Sequence, residues 1–525
     1  MLNKRDIKFF IMGIALSAIV LITSVSFADS SILKQLYVDY NAITKIVVDG
    51  VEKTSPDDMK PFVADGKVFV ELQYIADALG KKADFDKETG IITIDSPTSH
   101  DNNPVNSEVP SKKTLNVWSF VDEVPKIVEK YISLHPEFPY KIKTNLLSSS
   151  DGAYEPALDA ALAAGGANAP DIYCAESAFA QKYTQGSAAK YAAPYKDLGI
   201  DVDKLLKEAE IAQYTVDIGT RPSDKKVVAL AYQATGSVCI YRRSIAKAVW
   251  GTDNPKIIKT KIGPGLNQFF KAAGQLKAKG YGIVSGDGDI WRMIEGSSPT
   301  GWVVKGRLNI DPTREKFLDY SKMLKVNGWS NNTLDWTDAW YADMRDAGKK
   351  GIFSFFGPEW LLNYIIDGNS GGRRVGEGTY GDWAICEPPA GFSWGGTWLI
   401  GNKDTKEKAA VGSILKWITL DSSDTGLQYI WANGYFYPDM PKGTVPSGTV
   451  MKESDGKLDF LGGQNIFEVF VPANALVTGK NKTQYDDAID VYWREAVRQY
   501  VNGNVTRKEA IAQFKKKVFD NIGIN

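Results

Sequence analysis

From residue 113 onward the chain alternates short runs that read as strands with longer runs that read as helices. LNVWSF precedes EVPKIVEKYISLHP, YKIKTNLL precedes GAYEPALDAALAAGG, and PDIYCAE precedes AFAQKYTQG. Strand and helix in turn predict α/β units with parallel strands. Open α/β sheets bind ligands outside the carboxyl ends of their strands. Those ends carry Trp118-Ser119-Phe120 and Glu176-Ser177 here, an aromatic and a carboxylate in binding position. A chain of 525 residues is long enough for two or three domains.

Upstream the composition shifts. Residues 1–28 hold Lys4, Arg5 and Lys8, an uncharged apolar stretch from Phe9, and Ser26-Phe27-Ala28 before Asp29. That pattern predicts a secretion signal cut after Ala28, with an uncleaved membrane anchor as the alternative. No cysteine follows before Cys174, so the expected product is secreted or surface-associated and not a lipoprotein. Residues 31–95 lack tryptophan and read as short strands around one helix, an α+β pattern. Residues 96–112, rich in Ser, Pro and Asn, read as a solvated linker.

The segment DGKVFVELQYIADALGKKADFDKETGIITI resembles the small module first named from the N-terminus of copper amine oxidases, common on secreted proteins of Gram-positive bacteria. Val70-Glu71-Leu72-Gln73 stands where that family has Val-Pro-Leu-Arg. The resemblance implies a stalk domain that spaces the protein or attaches it to the cell wall, without chemistry of its own.

Five later stretches occur in one family's order: LNVWSF, APDIYCAE, TGSVCIYRRSIAKAVWGTD, DWTDAWYADMRDAGKKGIFSFFGPEW and SWGGTWLIGNKDTKEKAAVGSILKWIT. On these, residues 113–525 resemble an extracellular solute-binding protein of the sugar-binding type, family 1, serving an ABC importer. The resemblance implies a two-lobed periplasmic-binding-protein-like fold (type II), with two discontinuous α/β lobes joined by a hinge. Pattern places the first lobe at 113–225 with a return near 375–420, and the second at 245–370 with part of the C-terminus. It further implies an oligosaccharide ligand, an ABC transporter membrane permease as partner, a monomer, no cofactor and no enzymatic role.

A sugar offers a weakly apolar face of C–H groups inside a rim of hydroxyls, and an indole face suits it. In FSWGGTWLIG, Gly395 and Gly396 let the backbone approach a ligand while Trp394 and Trp398 flank it. Trp360 follows a Gly-Pro turn at a predicted helix start, where free N–H groups and a ring meet. Trp118, Ser119 and Glu176 at strand ends, Tyr232 in AYQATG and Trp291 in SGDGDIWRM complete the expected ligand-binding set. Trp250, Trp417 and Trp493 on predicted helices are assigned to packing, and Asp287 and Asp289 to a turn. Arg373 and Arg374 in a glycine-rich loop raise acidic sugars as an option against a solvated surface pair.

Several classes are disfavoured. A net charge of −1 gives no field for nucleic acid. Cys174, Cys239 and Cys386 lie far apart in apolar runs and read as buried small hydrophobes, and two histidines form no metal set. No Gly-x-Ser-x-Gly elbow, Walker loop or His-based catalytic set is present. A glycan-adhesion protein without transport, and less so a glycan-active enzyme, remain alternatives.

Overall fold

The structure, a computed structural model, describes residues 113–525 except 150, 151 and 439, together with 38–39, 46–48, 51–53, 60–64, 67–79, 81–86 and 91–95. The expected export signal and linker lie outside the described residues. Two compact units divide the chain, Met1–Val109 and Pro110–Asn525. In the first, strands Val38–Asp39, Phe62–Ala64 and Lys67–Phe69 form one antiparallel sheet. Among the described residues two hairpins and the helix Leu72–Ala78 accompany it. The Glu71 carboxylate accepts the Tyr74 N–H at 2.7 Å and so starts that helix. Among the described residues no helix is long and apolar enough to cross a membrane.

The larger unit contains strands β1 (Lys113–Ser119), β2 (Tyr140–Leu146), β3 (Ile172–Glu176), β4 (Ala229–Ala231) and β5 (Val238–Arg242). β6 (Ser354–Gly357), β7 (Trp383–Cys386) and β8 (Thr397–Gly401) follow. The first sheet has the order β4-β8-β3-β1-β2, and the second β6-β5-β7. Helices α1 (Glu123–Leu134) and α2 (Tyr154–Ala164) connect the parallel strands β1, β2 and β3. α3 (Gly288–Gly296), α5 (Asp486–Val501) and α6 (Arg507–Ile522) pack with the second lobe, and α4 (Lys408–Thr419) with the first.

Apart from the exposed edge strand β2, both sheets are buried on two faces, and their side chains alternate between cores as a period of two requires. In β3, Ile172 and Cys174 enter one hydrophobic cluster while Tyr173 and Ala175 enter another. Val238 and Ile240 of β5 share the first of these clusters, whereas Cys239 and Tyr241 face the core of the second lobe.

Two expectations need correction. Parallel pairing holds for β1, β2 and β3 only, because β8 re-enters from the other lobe and runs antiparallel to both neighbours, as do β6 and β7 beside β5. The second lobe keeps the chain through β7, so the return to the first lobe comes after residue 386 rather than near 375. Cys239 and Cys386, distant in sequence, are direct cross-strand partners. All three cysteines are free and buried, and burial pushes the Cys386 thiol up.

β8 lies between β3 and β4 in the first sheet. Trp398, paired with Ala175 on one side and Ala231 on the other, is 1% exposed and donates Nε1–H to the Thr215 carbonyl at 2.9 Å. Trp398→Ala therefore leaves a cavity between two alanines that cannot fill it. The expected loss is about 3–5 kcal/mol, read as a lower midpoint in denaturant unfolding.

Candidate functional site

Two crossover segments join the sheets, residues 232–237 between β4 and β5 and residues 387–396 between β7 and β8. They are bonded to one another: Trp394 N–H to Thr235 O at 3.1 Å, Ser237 N–H to Phe392 O at 2.9 Å, and the Thr235 hydroxyl to Gly395 O at 2.8 Å. The buried Tyr214 hydroxyl accepts the Thr235 and Gly236 N–H groups at 2.5 and 3.1 Å. The crossing is thus a pinned pair of strands, and what it places at the lobe boundary is Trp394.

Around Trp394 three indoles converge. Trp336 lies nearly parallel to Trp360, with centroids 6.1 Å apart and planes at 13°, and meets Trp394 edge-on at 5.7 Å. Trp360 meets Trp394 at 4.9 Å and 70°, and its Nε1–H donates to the Trp394 carbonyl at 3.1 Å. Trp336 remains 47% exposed, an unusual state for so large an apolar ring. Its backbone sits at φ +64°, a left-handed conformation that costs free energy for an aromatic residue and so points to a functional constraint. Asp335 beside it is fixed by Arg494 at 2.6 Å, and the Thr337 hydroxyl caps the following helix.

Trp394, alone of the three rings, lines a cavity of about 270 Å³ to which both lobes contribute. Glu176, Ser177 and Gln181 come from the end of β3 and its loop, while Asp486, Asp487 and Asp490 come from the first turns of α5. The Arg292 guanidinium stands 5.2 Å over the Trp394 ring on the same wall. Burial, and then the Asp487 charge, push Glu176 up to about 7. Burial raises Asp486 to about 6 and Asp490 to about 7. Beyond Trp360, Glu359 is pushed up to about 8 by burial, with the Glu123 charge adding to it. Half-exposed Tyr364 lies near this second carboxylate pair.

The expected site residues divide. Glu176 lines the cavity, Trp360 belongs to the indole cluster, and Trp118 at the end of β1 is half-buried with its Nε1–H unpartnered. Gly395 lines the cavity, and Gly395 and Gly396 have φ +75° and +108°. A Cβ on Gly395 would meet Trp360 at 3.4 Å, and one on Gly396 would meet Thr235 and Trp398 at 3.2 Å. The positive φ at both positions, and at Gly396 the close approach of Thr235 and Trp398, favour glycine here.

Four residues prove to be internal. Trp398 is core, as above. Trp291 is fully buried against Trp302 and Phe317, since it falls on the inner face of α3. Tyr232 is 1% exposed and gives its hydroxyl to Glu123. Ser119 is buried and bonds the Val121 carbonyl at 2.5 Å, closing the loop after β1. Asp289 serves a turn, accepting the Ser285 and Gly286 N–H groups at 2.9 and 3.0 Å. Arg373 and Arg374 are exposed and do not line the cavity. Sequence reasoning missed Trp336, Arg292 and the carboxylates of α5. Trp336 lay in DWTDAW, within the quoted family stretch, but no turn signal set it apart from Trp340.

These features define a two-lobed binding fold with an aromatic, acidic cleft. The family described as bacterial extracellular solute-binding protein matches residues 118–424, more than half of the chain, and the chain belongs to it. The copper amine oxidase N-terminal domain matches residues 47–116. No curated protein matches the sequence. Among solved structures, an extracellular solute-binding protein of family 1 aligns at TM-score 0.64 and 18% identity, over 78% of this chain and 99% of its own. The galacto-N-biose/lacto-N-biose I-binding protein of an ABC transporter from Bifidobacterium longum, in complex with lacto-N-biose, aligns at 0.57 and 16%, over 80% and 100%. The sugar-binding protein MalE from Xanthomonas citri aligns at 0.58 and 15%, over 78% and 97%.

The buried carboxylates set a pH dependence. Glu359 keeps its proton to about 8 when folded but loses it near its ordinary 4.5 when unfolded. The folded state then binds more protons in that window, so stability is full below about 4.5 and declines as pH rises to about 8. Glu359→Gln keeps the neutral shape, and melting temperatures across that window should fall less steeply for the variant than for the parent.

Proposed function

We propose that the protein captures an oligosaccharide between its lobes, with Trp336, Trp360 and Trp394 as the apolar platform, and hands it to the membrane permease of an ABC transporter. The observation that carries this reading is the exposed, left-handed Trp336 held parallel to Trp360, in one cluster with Trp394, which lines a polar cavity. Stiff aromatic faces suit C–H faces, while carboxylates and Arg292 around them suit hydroxyls. Trp118, with its unpartnered Nε1–H, and Glu176 join the ligand set in this reading, and Gly395 holds the backbone turn that lets Trp360 and Trp394 meet.

Ligand contacts available from both lobes at once favour a closed form, so capture shifts the hinge equilibrium without covalent chemistry. The domain at residues 47–116 is the stalk that keeps the binding unit near the cell wall. Neighbours in the same fold that bind sugars for ABC transporters support the class of cargo.

The test is a thermal-shift screen of the full chain against neutral, acidic and amino saccharides. A specific ligand raises the melting temperature by linkage. Trp336→Ala and Trp360→Ala should each weaken that ligand about tenfold or more, as loss of a central aromatic anchor does. Cleavage of a glycan during the screen would replace this reading with an enzymatic one.

A further inference from the structure

Charge in the cavity is unbalanced. Glu176 comes from the first lobe, and Asp486, Asp487 and Asp490 from the second. Of the two cations on the wall, Lys482 is taken by the buried Glu295 at 2.6 Å. Arg292 alone is left, placed over the Trp394 ring. The Lys482 charge also bears on Asp486 and Asp490, and Asp490 accepts the Trp302 Nε1–H at 2.7 Å, so the uncompensated pair is Glu176 and Asp487, opposed across the lobes near Arg292.

A second observation is independent of that count. Asp486 is 6% exposed, and its Oδ1 accepts the Thr483 hydroxyl at 2.5 Å, while its Oδ2 is buried without a partner. A desolvated carboxylate oxygen on a cavity wall costs free energy until a donor reaches it, and a charged donor offsets most. Among the described residues no group of three or more Asp, Glu, His or Cys side chains is arranged to hold a metal ion. A protonated amine supplies three N–H donors and a positive charge in one group.

We propose that this end of the cleft is a subsite for a protonated amine, and that the captured saccharide carries an amino sugar. This rests on the saccharide reading above and narrows it. The indoles take the sugar face, and the ammonium group, with three donors, sits between Glu176 and Asp487 within reach of Asp486. It removes the like-charge repulsion between the lobes, so the charged group itself drives closure. Protons held on Glu176, Asp486 and Asp490 leave when the ammonium enters, which makes the binding heat depend on the buffer.

Titration calorimetry of the full chain tests this with short glucosamine oligosaccharides in α- and β-linkage, their N-acetylated and hydroxyl counterparts, and spermidine as an amine without a sugar. The amino forms should bind about tenfold or more tighter than their counterparts, with a preference that shrinks as salt is raised. Glu176→Gln and Asp487→Asn should erase most of that preference; Asp487 is exposed, so its variant should fold. Neutral counterparts binding as tightly as the amines would overturn the subsite and leave the saccharide reading standing. Spermidine binding as well as the amino sugars would support the amine subsite and overturn the amino sugar as its cargo. Binding of no saccharide to a cooperatively melting protein removes both.

Discussion

Insertion of β8 between β3 and β4, antiparallel to both, is the constraint on which the rest of the binding unit depends. The chain leaves the first sheet after β4, builds the second lobe, and must return more than 160 residues later to fill the gap. Filling it fixes where the return crosses the boundary. Trp394 to Gly396 are held against Thr235 by backbone bonds, and Trp398 locks the register from inside. An indole cluster at a mobile boundary would scatter; here it is anchored through Trp360 to the carbonyl of Trp394 itself.

The site was legible in its chemistry and blurred in its membership. FSWGGTWLIG announced close backbone approach, and that is what the two positive-φ glycines provide, although the neighbours are Trp360, Thr235 and Trp398 rather than a ligand. Trp394 and Trp398 flank the same glycines, yet one stands at the boundary and the other in the core. The difference arises because β8 begins at Thr397, and a strand buried on both faces hides every side chain it contains. Tyr232 and Trp291 were lost for related reasons: a crossover residue can point back into its lobe, and half a turn of a helix separates an inner face from an outer one. Local sequence names the residue type; tertiary register decides which way it faces.

The fold was clearer than the site because its signal is repeated. Strand and helix alternate through β1, α1, β2, α2 and β3, and each repeat confirms the last. The antiparallel second sheet was hidden, since its three strands are separated by long excursions and no pair is joined by a short turn. Cys239 and Cys386 illustrate the limit: each apolar run was readable, whereas their side-by-side pairing across 147 residues was not.

Desolvation gives the cleft its character. A carboxylate facing open water titrates at its ordinary value and attracts nothing strongly, whereas Glu176, Asp486, Asp490 and Glu359 are all raised with burial as the leading cause. Such groups are costly without partners, and the cost is shared between lobes: Glu176 from β3 feels Asp487 from α5, and Glu359 feels Glu123 from α1. Repulsion across a hinge favours separation, while parallel indoles favour a flat guest. A ligand that satisfies the indoles and neutralises the carboxylates gains twice from one movement. In the amine reading proposed above, a cationic guest displaces the protons these carboxylates hold and bridges the lobes, which a neutral guest does not do.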